Sequence, residues 1–212
     1  MGTKEELLHA LLSSTESRAC RAMPACDGKT FVHDMRSPGN LDRKARAPIM
    51  VVGEAPGNKE NQLGWPFSGP TSDKIDSSLR QAGLSRNDVY FSNPFKCHPT
   101  TRNETGQLVN RTPTPGELLA CAPLLEKEIE IVDPHVIVAM GATAIRSLTG
   151  ETGVKSAIDR KVLWHGSIPV IPTYHPSSST HFIKAGNVNE AMRIRELREE
   201  AFRRAALLVK KT

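Results

Sequence analysis

Pro48-Ile49-Met50-Val51-Val52-Gly53-Glu54-Ala55-Pro56-Gly57 is the stretch on which the reading of this chain turns. Four apolar residues, two of them valine and one isoleucine, run without interruption into a glycine-rich turn. A strand with one wet face would alternate apolar and polar side chains. This one does not, so it is read as buried on both faces, as in a parallel sheet covered by helices. Similar short apolar runs return at Val89-Tyr90-Phe91-Ser92-Asn93, at His135 to Met140 and at Ile168 to Tyr174. Between them lie segments of helical spacing. Thr71 to Ala82 is followed by Gly83 where a C-terminal cap belongs, and Pro115 to Val132 carries Pro115 and Glu117 at its start. Strand and helix in alternation predict a three-layer α/β/α sandwich around a central, mostly parallel, four-stranded sheet.

Outward from the sheet, Lys4 to Ser13 reads as a short helix capped by Thr3, and Asp27 to Ala47 as a polar connection. Cys97 to Pro115 is rich in Pro, Thr and Asn and reads as a long loop. Gly141-Ala142-Thr143-Ala144 opens a further helix, and Asn187 to Lys210 forms a long, charged one. At 212 residues the chain is expected to be one domain, 1–212, its first 47 residues forming a helix and a cysteine-bearing segment. Apolar residues are 38% and charged residues 24%, the balance of a soluble globular protein, and the net charge of +5 raises the prior for a polyanionic partner modestly. No run approaches the ~18 apolar residues that span a bilayer. The N-terminus places Glu5 and Glu6 before a very short apolar run, unlike a secretory signal. These features predict an intracellular, cytoplasmic monomer, nucleoid-associated if prokaryotic, with no membrane partner. They also make its four cysteines thiols or metal ligands rather than a disulfide framework.

In open α/β sheets ligands bind beyond the carboxyl ends of the strands. Those ends carry Gly53-Glu54-Ala55, Asn93, Gly141-Ala142-Thr143 and His175-Pro176-Ser177. A glycine-rich turn often cradles phosphate, yet Glu54 would repel one and Pro56 lacks a donor. A carboxylate there is suited to orienting a water or stabilising a developing cation, although a plain strand-to-helix turn with a solvated Glu54 reads equally well. Alone, Asn93 reads as a turn residue and His175 as a core histidine; their convergence with Glu54 on one rim favours chemistry.

Four segments in order carry a resemblance. Gly53-Glu54-Ala55-Pro56-Gly57 with Glu60 and Pro66-Phe67, then Val89 to Asn93 leading to Lys96-Cys97, then Asn110 to Pro115 leading to Cys121, then Tyr174-His175-Pro176-Ser177 together resemble the iron–sulfur, family 4 class of uracil-DNA glycosylases. The resemblance covers about Pro48 to Ser177 and the N-terminal cysteines. It implies a monofunctional hydrolase that flips uracil out of single- or double-stranded DNA and cuts its N-glycosidic bond, with no lysine in the motifs to act as a Schiff-base nucleophile.

By the same resemblance Glu54 and Glu60 position water and stabilise the cation, while His175 donates to the uracil O2. Phe67 stacks on the base, Asn93 reads its O4 and N3–H, and Gly53, Ala55 and Ser177 complete the substrate site. Cys20, Cys26, Cys97 and Cys121 would hold a [4Fe–4S] cluster, with zinc as the alternative metal. The first pair is spaced Cys-x5-Cys where the family pattern is Cys-x2-Cys, and the Cys97–Cys121 interval is longer than the family's. Residues 105–111 hold no histidine of the kind that traps DNA covalently in a related group, so turnover is expected. Lys96, Arg102 and Arg111 are expected along the DNA track, Phe182 as the wedge, and the arginines of the last helix on a solvated face. Rival readings are a glycosylase for hypoxanthine or xanthine, a non-catalytic damaged-DNA binder, and a nucleotide-binding enzyme.

Overall fold

The computed structural model describes residues 2–210. Its N-terminal part holds helices α1 (Lys4–Leu11), α2 (Thr15–Arg21) and α3 (Leu41–Ala45). The sheet strands are β1 (Ile49–Val52), β2 (Val89–Ser92), β5 (Val136–Met140), β6 (Leu163–His165) and β7 (Ile168–Thr173). A separate hairpin joins β3 (Thr100–Arg102) to β4 (Leu108–Asn110). Helices α4 (Asn58–Leu63), α5 (Ser72–Gln81), α6 (Pro115–Val132), α7 (Ala142–Thr149), α8 (Val154–Asp159), α9 (Pro176–Lys184) and α10 (Val188–Val209) complete the fold.

Strand order is β2-β1-β5-β7-β6, the first three pairings parallel and β6 antiparallel to β7. The expected sandwich holds, but the sheet has five strands, not four. The fifth is three residues long and turns back through Gly166 at φ 55°, too short to leave a periodic signature. The expected loop after Cys97 likewise contains the β3–β4 hairpin, exposed over residues 101–110.

Side chains of one strand alternate between the two faces. Met50 and Val52 join Tyr90, Ile137 and Ala139 under α6, α7 and α8, with Leu125, Ile129, Ala144 and Leu148 opposite them. Ile49 and Val51 join Val89, Phe91, Val138 and Met140 on the other face, covered by Ile75 and Leu79 of α5 and Phe202 of α10. Every residue of β1, β2 and β5 is buried, the physical reason for their uninterrupted apolar sequence.

Two ion pairs run through this interior. Lys96 is 1% exposed and pairs with Glu128 of α6; Ser92 Oγ donates to the same carboxylate at 2.6 Å. Lys96 therefore does not line a DNA track, and burial lowers its pKa, an effect opposed by Glu128. Lys44 pairs with Asp34, whose other oxygen accepts the Phe91 N–H at 3.1 Å. Arg198 also departs from the expected solvated face: it is 2% exposed and donates to Ser78 Oγ at 3.0 Å. Arg193, Arg195 and Arg203 do face solvent, each paired with a glutamate of its own helix. Among the described residues no helix is long and apolar enough to cross a membrane.

Candidate active site

The turn after β1 begins with Gly53, whose N–H donates to Ser92 O at 3.0 Å and so continues the ladder to the β2 end. A Cβ at Gly53 would lie 2.6 Å from Asn93 Oδ1 and 2.7 Å from Phe67 Cζ. Gly53, Phe67 and Asn93 thus close around one point, and only the missing side chain makes room there. Phe67 is buried with φ at 52°, a left-handed conformation rare for an aromatic residue. Arg86 holds it there: its Nη2 donates to Phe67 O at 2.9 Å and its Nε to Asp76 at 2.6 Å. The Phe67 ring lies 5.3 Å from that of Phe91. Arg86 was not legible as a site residue, since its hydrogen-bond partners lie on the Phe67 turn and on α5, not beside it in sequence.

Glu54 is half-buried and its Oε2 accepts the Thr143 hydroxyl at 2.8 Å. Thr143 opens α7, so this bond joins the β1 turn to the β5 end and leaves the second carboxylate oxygen for another partner. Glu60 is placed differently from the sequence expectation. It is buried, and its two oxygens accept the N–H groups of Gly57 at 3.1 Å and Gly69 at 2.9 Å. It caps α4 and ties the Gly53–Gly57 turn to the segment bearing Phe67; its acceptors face backbone.

His175 follows β7 and caps α9. Its Nδ1 accepts the Ser177 N–H at 3.3 Å, with Ser177 Oγ at 2.7 Å. An accepting Nδ1 fixes the neutral tautomer that carries its proton on Nε2. Burial lowers the His175 pKa to about 4, assisted by the positive charges of Arg198 and Lys74. The imidazole is therefore neutral at pH 7. Gly141, at φ 90°, passes so close that its Cβ would lie 3.2 Å from that of His175. Ser177, expected at the substrate, has both its N–H and its hydroxyl turned to His175. The hydroxyls behind it are engaged too: Lys74 donates to Ser179 Oγ at 2.9 Å and to Thr180 Oγ1 at 2.5 Å, pinning the first turn of α9. On that helix Ile183 is 56% exposed while Phe182 is half-buried, so the larger apolar surface offered to a partner is that of Ile183. Arg111 forms a two-point ion pair with Glu117 and is part of the α6 entry.

The four cysteines are buried together with Leu11, Phe31, Phe95 and Leu124. The sequence reading expected thiols. The structure joins them as disulfides, Cys20–Cys121 and Cys26–Cys97. The sulfurs enter one buried pocket from three segments, each bonded to another sulfur; the Cα separations, 4.9 and 5.3 Å, suit a bridge. With the sulfurs so paired, no group of three or more His, Cys, Asp or Glu stands open to a metal among the described residues. As a donor set, four sulfurs drawn from three segments into one buried pocket do fit a cluster or zinc once reduced. Ala55 packs against this cysteine group, so the centre lies behind the Glu54 turn.

The uracil DNA glycosylase superfamily matches residues 40–196, the span holding every rim residue just described. The chain belongs to that superfamily. Among relatives of this glycosylase-family chain, the type-4 uracil-DNA glycosylase of Thermotoga maritima is 37% identical over 196 residues, covering 92% of each chain. The type-4 enzyme of Saccharolobus solfataricus is 34% identical over 153 residues, 68% of this chain and 66% of its own. The crystal structure of Pedobacter heparinus SMUG2 superposes with a TM-score of 0.52 at 14% identity, over 95% of this chain and 97% of that one, a likeness of fold. Gly53, Glu54, Asn93 and His175 all follow the carboxyl ends of parallel strands, and Phe67 reaches the same rim beside Gly53.

Proposed function

We propose that this chain is a monofunctional uracil-DNA glycosylase, hydrolysing the bond between C1′ and uracil N1 and leaving an abasic site. The observation that carries the reading is the neutral His175, its Nδ1 occupied by Ser177 and its Nε2–H free to donate, on one rim with Glu54. When the bond breaks, the electron pair leaves with the base and charge collects on the uracil O2. A neutral imidazole N–H donates there without prior protonation, and in a water-poor site such a donor contributes more than it would in water. Glu54 accepts a proton from the attacking water through the oxygen that Thr143 leaves free, and its charge offsets the oxocarbenium-like sugar. Phe67 stacks on the flipped base. The Asn93 amide donates to O4 and accepts from N3–H, a pattern that cytosine reverses. Glu60, in this reading, positions the turn and does not touch the water.

The cysteine centre, reduced, is proposed to hold a [4Fe–4S] cluster, which would supply a cross-link of the N-terminal segment to the rim and no step of the hydrolysis. The substrate is DNA containing uracil, and the protein acts as an intracellular monomer. The test is release of free uracil from a labelled oligonucleotide, followed by alkali. Strand breakage only after alkali is the expected result, and it should disappear in Glu54→Gln and His175→Ala. Release at the wild-type rate in either variant refutes the assigned roles.

A further inference from the structure

On the N-terminal side of the molecule a cavity of about 580 Å³ opens between α1, α2 and the turn at residues 33–36. Its wall is rich in cationic groups: Arg18, Arg21 and Arg36 line it with His33 and with His9, which lies 3.9 Å from Glu5. Arg21 is fixed, donating to Ser17 Oγ at 3.2 Å and Leu12 O at 3.1 Å, with its guanidinium 4.4 Å from the Phe31 ring centroid. Arg18 and Arg36 are exposed and have no hydrogen-bond or ion-pair partner for their guanidiniums among the described residues. At the floor, His33 is 4% exposed and its Nδ1 has no partner. Burial lowers the His33 pKa to about 3, and Arg36, Lys96, Arg21 and His9 push it the same way. Two unpaired guanidiniums, Arg18 and Arg36, beside the third of Arg21 repel one another across a concave space, and an anion entering it relieves that repulsion.

We propose that this cavity is a phosphate-binding site, in which the guanidiniums of Arg18 and Arg36 grip the oxygens, Arg21 backs them, and the His33 ring forms the floor. Guanidinium forks match phosphate oxygens two at a time, which a lone lysine does not. The phosphate comes either from a DNA strand or from a free phosphate or nucleotide. Position favours the strand. The His33 N–H donates to Gly64 O at 3.2 Å, and the Arg36 chain packs against Gly64, the residue that closes α4 between the Glu54 turn and Phe67. A backbone flanking the flipped nucleotide would be held on the same rigid segment that holds the base. This arm rests on the glycosylase reading; the phosphate chemistry does not.

The test uses the full chain and the variants Arg36→Ala and Arg18→Ala/Arg36→Ala, both exposed positions whose loss leaves the interior intact. Binding of a fluorescent abasic duplex is measured across salt concentration, and inorganic phosphate is titrated while the His33 imidazole is followed by NMR. Each phosphate contact contributes about −0.9 to the slope of log K against log salt. A slope flatter by about one in the variants, with a saturable phosphate response at His33 that they lose, assigns the site to DNA backbone. An unchanged slope with the His33 response lost in Arg36→Ala assigns it to free phosphate. An unchanged slope with no response at His33 overturns the proposal. Uracil release is measured on the same preparations, so its absence in wild type sinks the glycosylase reading separately, while the phosphate titration still decides this site.

Discussion

Replacing Gly53 with alanine would set a methyl group 2.6 Å from Asn93 Oδ1, 2.7 Å from Phe67 Cζ and 3.2 Å from Phe67 Cε1. Ordinary contacts begin near ~3.5 Å, so the first two neighbours must retreat by about 0.9 and 0.8 Å. Neither is free to do so. Phe67 is held by Arg86 through its carbonyl and by Phe91 at its ring, and Asn93 is buried at the β2 end. Overpacking of this kind costs about 1–3 kcal/mol, and a displacement near 1 Å in a positioning group costs roughly 10²-fold in rate. At this chain length the stability cost lowers Tm by about 2–12 °C. Single-turnover uracil release should fall roughly 10²-fold in Gly53→Ala. Gly116→Ala is the control: its Cβ meets nothing within 4 Å, and alanine within α6 should if anything stabilise the protein. A folded Gly53→Ala enzyme releasing uracil within threefold of the control would refute the placement of the base between Phe67 and Asn93.

Lys96→Met strips the partner from Glu128 in a dry interior and should destabilise the chain by about 3–5 kcal/mol in urea unfolding, with much of the loss recovered in a Lys96→Met/Glu128→Leu double variant. Glu60→Ala leaves the N–H groups of Gly57 and Gly69 without acceptors and should cost roughly 1–3 kcal/mol for each group that water cannot reach. Glu60→Gln, able to accept only one of them, should fall between, and equal Tm values for all three proteins would remove Glu60 from its clamping role. The uracil-release rate should show no inflection from His175 between pH 8 and about 5, because its imidazole stays neutral until the pH approaches about 4. An inflection near the free-histidine value of about 6.5 would contradict a neutral buried imidazole. Between about 6.5 and about 4 the unfolded chain takes up protons that folded His33 and His175 do not, so Tm should fall as pH drops through that window, less so in His33→Gln.

The sheet and α6 were legible because local chemistry and tertiary position agree there. Thr114 caps α6 with Glu117 returning to its N–H, Pro115 takes the first position, and Asp133 leaves it at φ 50°; the helix runs Pro115–Val132 as read. The rim residues followed from the strand ends alone. Charged residues were less legible, because exposure is not written into a side chain. Lys96 looks like any basic residue beside a DNA site until Glu128, 32 residues on, is folded over it. Arg198 shares a helix with three exposed arginines, Arg193, Arg195 and Arg203, and differs only in the face it occupies. Glu60 carried a local sign, three residues beyond Gly57 at a helix start, which favours a cap over a free carboxylate. The pairing of the cysteines was closed to sequence reasoning, since four cysteines admit three connectivities.

Each of those sulfur links reaches far along the chain, over 71 and 101 residues. Synthesis is directional, so Cys20 and Cys26 leave the ribosome long before their partners. Cys97, the next cysteine, follows Cys26 by 71 residues, a delay of about 4–14 s at roughly 5–20 residues per second. During that interval the nascent N-terminal segment carries two thiols with only each other to react with. A Cys20–Cys26 bond is thus the kinetic competitor of the native centre. Expression under oxidising conditions should trap it, giving a chain whose sheet is complete but whose first 47 residues are held only by their packing and hydrogen bonds and by no sulfur link.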